Sequence, residues 1–153
     1  MSGKGEALTD LLVEYIDGHK WRLLADFAWR FRDGLVIVVP EDFVSDKHSV
    51  PRPFWSLVPP HLYGRSAIFH DWAYAMNGEI RAFRNDSTRP VHVKMSRREA
   101  DLRYREMLAD AGAGIVLRNT MYRAVRAGGW VAWRRHAKRN QSRYSERWPI
   151  QTQ

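Results

Sequence analysis

His70, Asp71 and Tyr74 stand together in the run His70-Asp71-Trp72-Ala73-Tyr74, and Asp101 follows further along in Ala100-Asp101. Imidazole is the side chain best suited to moving protons at neutral pH, and a carboxylate against it fixes its tautomer and steadies its charged form. On a helix His70 and Tyr74 share a face, whereas Asp71 is turned by about 100° from His70. Asp71 therefore cannot orient its own neighbour and must address another target, a metal or a loop. The orienting carboxylate has to come from elsewhere, and Asp101 is the natural candidate if a second helix packs antiparallel to the first. In that arrangement His70 takes a proton from water, Asp101 holds the imidazole, and Tyr74 supports the same network. The same residues also read as a buried histidine whose nitrogens are satisfied, with Asp71 as a surface acid paired to an arginine.

A second polar group lies in Asp46-Lys47-His48-Ser49, directly before Val50-Pro51-Arg52-Pro53. With His70 and Asp71, Asp46 and His48 form a candidate ligand set for a divalent ion. Asp46 is equally suited to cap the turn by accepting backbone N–H bonds. His19, His61, His92 and His136 show no metal-like spacing. The chain contains no HExxH pair, GxSxG elbow, Walker loop or GxGxxG fingerprint. It has no cysteine, so disulfides and thiolate zinc sites are excluded.

These groups need a scaffold, and the residue pattern predicts an α+β fold. A small N-terminal antiparallel β-sheet packs with a C-terminal group of three to four α-helices. One domain is expected over residues 1–153. Residues 1–9 read as a flexible arm and 10–40 as the sheet. Its strands are Leu11–Ile16, closed by Asp17-Gly18, then Trp21–Phe31 with Leu24, Phe27, Trp29 and Phe31 half-buried, then Leu35–Val39. Asp33-Gly34 is the hairpin turn. Pro40, Pro51, Pro53, Pro59 and Pro60 forbid a long helix across 41–63 and predict an ordered loop pinned by Phe54 and Trp55. A helical core over 64–129 carries a hairpin-like insertion at 79–94, turning at Asn85-Asp86-Ser87-Thr88. Its helices are Arg65–Met76 after Gly64, stopped by Asn77-Gly78, then Arg97–Ala111, opened by the Ser96/Glu99 capping box, then Ile115–Ala127. Leu102, Met107 and Leu108 are placed on the second helix's apolar face. Gly128-Gly129 is expected to end the third, and a last basic helix spans Trp130–Lys138.

The 153 residues carry a formal charge of +8, and 44% are hydrophobic, enough for a real core. The excess is concentrated in residues 130–153 and the helix before them. Such a segment is drawn to nucleic acid, anionic lipid or an acidic protein surface. Trp130, Trp133, Arg134, Arg135 and Arg139 are the candidate partner-binding residues, because Trp and Arg dominate interface energetics. Two helices flanking Gly112-Ala113-Gly114 also allow a helix-turn-helix. No apolar run approaches a membrane span, and Met1-Ser2-Gly3-Lys4-Gly5 lacks a signal-peptide core. Host cytoplasm or virion is the expected location.

Four strings together resemble the phage and prophage family called domain of unknown function 1353: Glu41 to Arg52, Ala67 to Tyr74, Ser96 to Asp101, and Met121 to Arg126. Lys47-His48 and the long 79–94 insertion depart from it. The resemblance implies a phage or prophage origin and no settled activity. His-Asp-x-x-Tyr at His70, Asp71 and Tyr74, with Asp101 beyond, is also similar to the core of secreted phospholipases A2. That similarity implies a histidine that activates water, a calcium-binding Asp71 and an orienting Asp101. The disulfides of that family are missing, and only Tyr63-Gly64 stands where its calcium loop would be. The leading expectation is a non-enzymatic accessory protein, a virion or tail component or a host-factor binder, with a structural His–Asp cluster. The alternatives are an ester hydrolase built on the His70–Asp101 dyad, with catalytic His70, Asp101 and Tyr74, and a nucleic-acid-binding protein.

Overall fold

A computed structural model describes residues 3–17, 20–45, 60–84 and 87–136. It has the expected α+β architecture. Among the described residues, eight strands, β1 (Glu6–Ala7), β2 (Val13–Asp17), β3 (Lys20–Leu23), β4 (Phe27–Arg30), β5 (Leu35–Val39), β6 (Val44–Ser45), β7 (Glu79–Arg84) and β8 (Val91–Lys94), accompany three helices. The helices are α1 (Pro60–Ala75), α2 (Arg97–Asp110) and α3 (Ile115–His136). One antiparallel sheet has the order β1-β4-β5-β7-β8, the other β2-β3-β6.

Several expected boundaries shift, each for an identifiable reason. The N-terminal arm is anchored: Glu6 and Ala7 pair with Arg30 and Trp29. The single strand expected over 21–31 is two strands in different sheets, separated at Leu24-Ala25-Asp26. Leu24 is consequently exposed, whereas Phe27, Trp29 and Phe31 are buried. The hairpin at 79–94 is not a peripheral insertion, because β7 pairs with β5 and completes the larger sheet. Helix α1 begins at Pro60, where a proline's missing N–H costs nothing, and runs through Gly64 rather than starting after it. The expected loop over 41–63 thus holds β6 and the first turn of α1. Its middle, with Phe54 and Trp55, lies outside the described residues, as do Gly18, Asn85, Asp86 and the chain beyond His136.

Helix α1 is the centre of the molecule. Ala67, Ile68, Phe69, His70, Trp72, Ala73, Tyr74, Ala75 and Met76 are all buried. A helix buried all round shows no amphipathic stripe, so periodicity is silent about which of its faces meets what. On the sheet, alternate residues Leu35, Ile37 and Val39 of β5 join Phe27, Trp29 and Phe31 in the core with Ile68, Phe69 and Trp72. Phe69 meets Phe31 edge-on at 5.1 Å, and Trp72 meets Phe43 at 5.2 Å. Asn77 and Gly78 stop the helix as expected, both with positive φ. At Gly78 a Cβ would lie 1.9 Å from the Met95 carbonyl oxygen, so only glycine fits.

Helix α2 opens on the anticipated capping box. Ser96 Oγ accepts from Glu99 N at 3.2 Å, and Glu99 Oε2 accepts from Ser96 N at 2.7 Å. Met107 and Leu108 are buried, but Leu102 is on the exposed side. Tyr63, Tyr104, Leu108, Met121 and Val125 make a second core where the three helices meet.

The two helices expected on either side of Gly128-Gly129 are one continuous helix. Gly129 has a packing role. A Cβ there would stand 2.5 Å from the Tyr74 hydroxyl, so its absence lets α3 cross close over α1. Trp133, one turn further, meets the Tyr74 ring edge-on at 5.0 Å. These contacts hold α3 helical past two poor helix formers. Gly128 faces open space. Gly128→Ala should therefore raise stability by about 0.5–1 kcal/mol through lower unfolded-state entropy. Gly129→Ala should lower it by roughly 1–3 kcal/mol, since Tyr74 cannot yield. Urea unfolding of both variants checks this, and equal stabilisation by both would contradict the packing role.

Candidate functional site

The anticipated juxtaposition of His70 and Asp101 is present. Contacts along α1 and α2 run in opposite order, His70 with Tyr104 and Tyr74 with Asp101, so the helices are antiparallel. His70 Nε2 lies 2.8 Å from Asp101 Oδ1. Tyr74 Oη donates to the same oxygen at 2.6 Å. Because an ionised carboxylate only accepts, the proton on that imidazole edge belongs to Nε2. Asp71 points elsewhere, as its helical position requires: its Oδ2 accepts a short hydrogen bond from the Ser45 hydroxyl on β6.

Two cations that were not anticipated complete the cluster. Arg126 Nη1 on α3 donates to Asp101 Oδ2 at 2.8 Å, and Arg97 Nη1 stands 3.8 Å from that oxygen. Arg97 also donates to the Arg126 carbonyl at 3.1 Å. Asp101 is thus engaged by all three helices. The Arg97 contribution has a local signal, because residues four apart on a helix meet. Arg126 has none, since it arrives by tertiary packing.

The site is closed. His70 is 2% exposed and Asp101 is 0% exposed. The imidazole lies 4.2 Å from the Tyr74 ring centre and 4.8 Å from that of Tyr104. Burial alone would push the Asp101 carboxyl up, but hydrogen bonds from His70, Tyr74 and Arg126 outweigh it and hold the group below the usual carboxylate range. Burial, followed by the hydrogen bond to Asp101, pushes the Tyr74 phenol well above its ordinary value. Tyr74 therefore stays a neutral donor. The Asp101 carboxylate in turn raises the Arg126 guanidinium.

The remaining candidates divide. Among the described residues, no three His, Asp or Glu side chains group as a metal ion requires. Asp71, the candidate calcium ligand, is bonded to Ser45. Asp46, the other candidate ligand, lies outside the described residues, with His48. Trp133 is partly buried and packs on Tyr74. Trp130 is 52% exposed, with Arg134 and Arg135 exposed beside it. The Arg134 guanidinium sits 5.4 Å from the Trp130 ring centre. Arg139 lies outside the described residues. No described helix is long and apolar enough to cross a membrane.

Asp101→Asn leaves Arg126, His70 and Tyr74 facing an amide, and should cost about 3–5 kcal/mol at neutral pH. The native carboxyl titrates below the unfolded one. Its stabilisation is thus fully present above the unfolded pKa of about 3.9 and lost as pH falls toward the native value. Urea unfolding from pH 7 to acid should show the gap between wild type and Asp101→Asn closing. A gap that does not depend on pH would rule out an ionised Asp101.

A family model described as a protein of unknown function, DUF1353, matches residues 21–125. That span runs from β3 into α3 and includes Ser45, His70, Asp71, Tyr74, Arg97 and Asp101. It stops one residue before Arg126 and short of Trp130. No curated protein and no solved structure matches the chain. With more than half of its length covered by that model, the chain belongs to the DUF1353 family.

Proposed function

We propose that this chain is a phage- or prophage-encoded accessory protein that acts by binding, as a virion or tail component or as a binder of a host factor. The observation that carries this reading is the outer face of α3. A half-exposed Trp130 carries Arg134 over its ring, on a helix with five arginines and no acid. Trp and Arg are the residues that most often anchor protein interfaces. A partner presenting carboxylates would complement this face. The His70–Asp101 cluster is then structural: it joins three helices, and its imidazole is sealed between two tyrosines.

A hydrolytic reading has one specific observation in its favour. The His70, Tyr74 and Asp101 geometry, with Asp71 turned to another target, is the arrangement a water-activating dyad needs. In that reading Asp101 holds Nε2–H, and the opposite ring nitrogen takes the proton from water attacking an ester carbonyl or phosphoryl centre.

Two assays separate the readings. Short-chain ester and phospholipid turnover, with and without calcium, should be indistinguishable from background for both wild type and His70→Ala. Turnover that disappears in His70→Ala would overturn the binding reading. In cells carrying the source phage, proteins crosslinked to the wild-type chain should be lost on Trp130→Ala with Arg134→Glu and Arg135→Glu, while the unfolding free energy stays within about 0.5 kcal/mol of wild type. Unchanged crosslinking by that variant would remove α3 as the contact face.

A further inference from the structure

A cleft of about 870 Å³ lies along the N-terminal strand. Its walls are residues 4–10 with Trp29, and across from them Arg65, Met107 and Asp110. Strand β1 is the terminal strand of the larger sheet. Leu8 N donates to Ala28 O at 2.9 Å, and Glu6 stands opposite Arg30. Residues 6 and 8 therefore turn their backbone groups toward β4. By the alternation of an antiparallel ladder, Ala7 turns its N–H and C=O outward. Gly5, in the same phase as Ala7, donates its outward amide to Asp110 Oδ2 at 3.1 Å. A Cβ on Gly5 would lie 2.5 Å from that oxygen, so the strand is seated tightly against α2.

Two further features mark the cleft. Trp29 is 5% exposed, and its indole N–H has no partner among the described residues. Lys4 and Arg65 line it, are both exposed, and form no ion pair among the described residues. The acids at its wall are differently placed: Asp110 is held by Arg32 and Glu6 by Arg30, while Asp10 lies at the far end of the strand run from Lys4. An outward strand edge and two exposed cations, unpaired among the described residues, within one cleft are complementary to an extended backbone bearing acidic side chains. The volume falls in the range of about 300–1,000 Å³ typical of ligand sites.

We propose that this cleft takes an extended segment of a partner protein, carrying an Asp or Glu side chain, as a strand added to β1. The site is independent of the α3 face, and either can fail without the other. The probe is a random library of short linear peptides panned against the full chain, with binders measured by fluorescence anisotropy and by 1H–15N NMR. Enriched peptides should be apolar-alternating with Asp or Glu, and should shift the Ala7 amide and the Trp29 indole resonances. Ala7→Pro removes only a donor that β4 does not use and should weaken binding about tenfold or more. Arg65→Glu, on an exposed position, should do the same for the acidic peptides and serves if the proline variant does not fold. Absence of enrichment over an unrelated control protein would overturn the proposal. So would enriched peptides that bind wild type, Ala7→Pro and Arg65→Glu equally, or that shift resonances of α3 instead.

Discussion

One buried carboxylate organises the helical half of this protein. Asp101 has 0% exposure yet accepts from Tyr74 and Arg126 and lies within hydrogen-bond distance of His70. Taking a carboxylate out of water costs several kcal/mol, and each charge-assisted hydrogen bond returns roughly 1.5–3 kcal/mol. Three such bonds bring the group near balance rather than to a large surplus. What the arrangement confers is therefore register more than raw stability: α1, α2 and α3 can satisfy this carboxylate in one relative placement. Sliding any helix by a turn leaves an unpaired charge in the core.

The other contacts follow from that placement. With Tyr74 held by Asp101, its ring is a fixed wall for α3, which explains a glycine at 129 and the edge-on Trp133. With His70 turned to α2, Asp71 faces the small sheet and takes the Ser45 hydroxyl, tying β6 to the helix. Phe31, next to β4, packs edge-on against Phe69 and seats the larger sheet on α1, while Phe43, whose carbonyl accepts from Leu23 N of β3, packs on Trp72. Neighbouring residues of one helix thus bind opposite halves of the fold, and the dyad-like geometry arises from the same division.

Much of this was legible in the residue pattern where the signal is local. The 100° step between His70 and Asp71 settles that they diverge, and the Ser96/Glu99 box and the Asn77-Gly78 stop are read from adjacent residues. What escaped depends on distant packing. Arg126 reaches Asp101 across an interhelical gap that no spacing encodes. Gly128-Gly129 reads as a helix end because glycine is a poor helix former, yet the Tyr74 contact outweighs propensity there. Leu24 and Leu102 look like core positions but fall where the chain changes sheets or faces outward. The central helix, buried on every side, gives no periodic clue to its own neighbours. The candidate partner-binding residues differ for a related reason: Trp133 leans onto Tyr74 of α1, whereas Trp130, three residues before it, is half-exposed.

His70, Tyr74 and Arg126 act on Asp101 as one coupled unit that fixes the helices. A double-mutant cycle between Tyr74→Phe and Asp101→Asn, read by urea unfolding at neutral pH, measures that coupling. A coupling of about 0.5–3 kcal/mol is expected, the range for residues sharing one network. Strictly additive losses would contradict it.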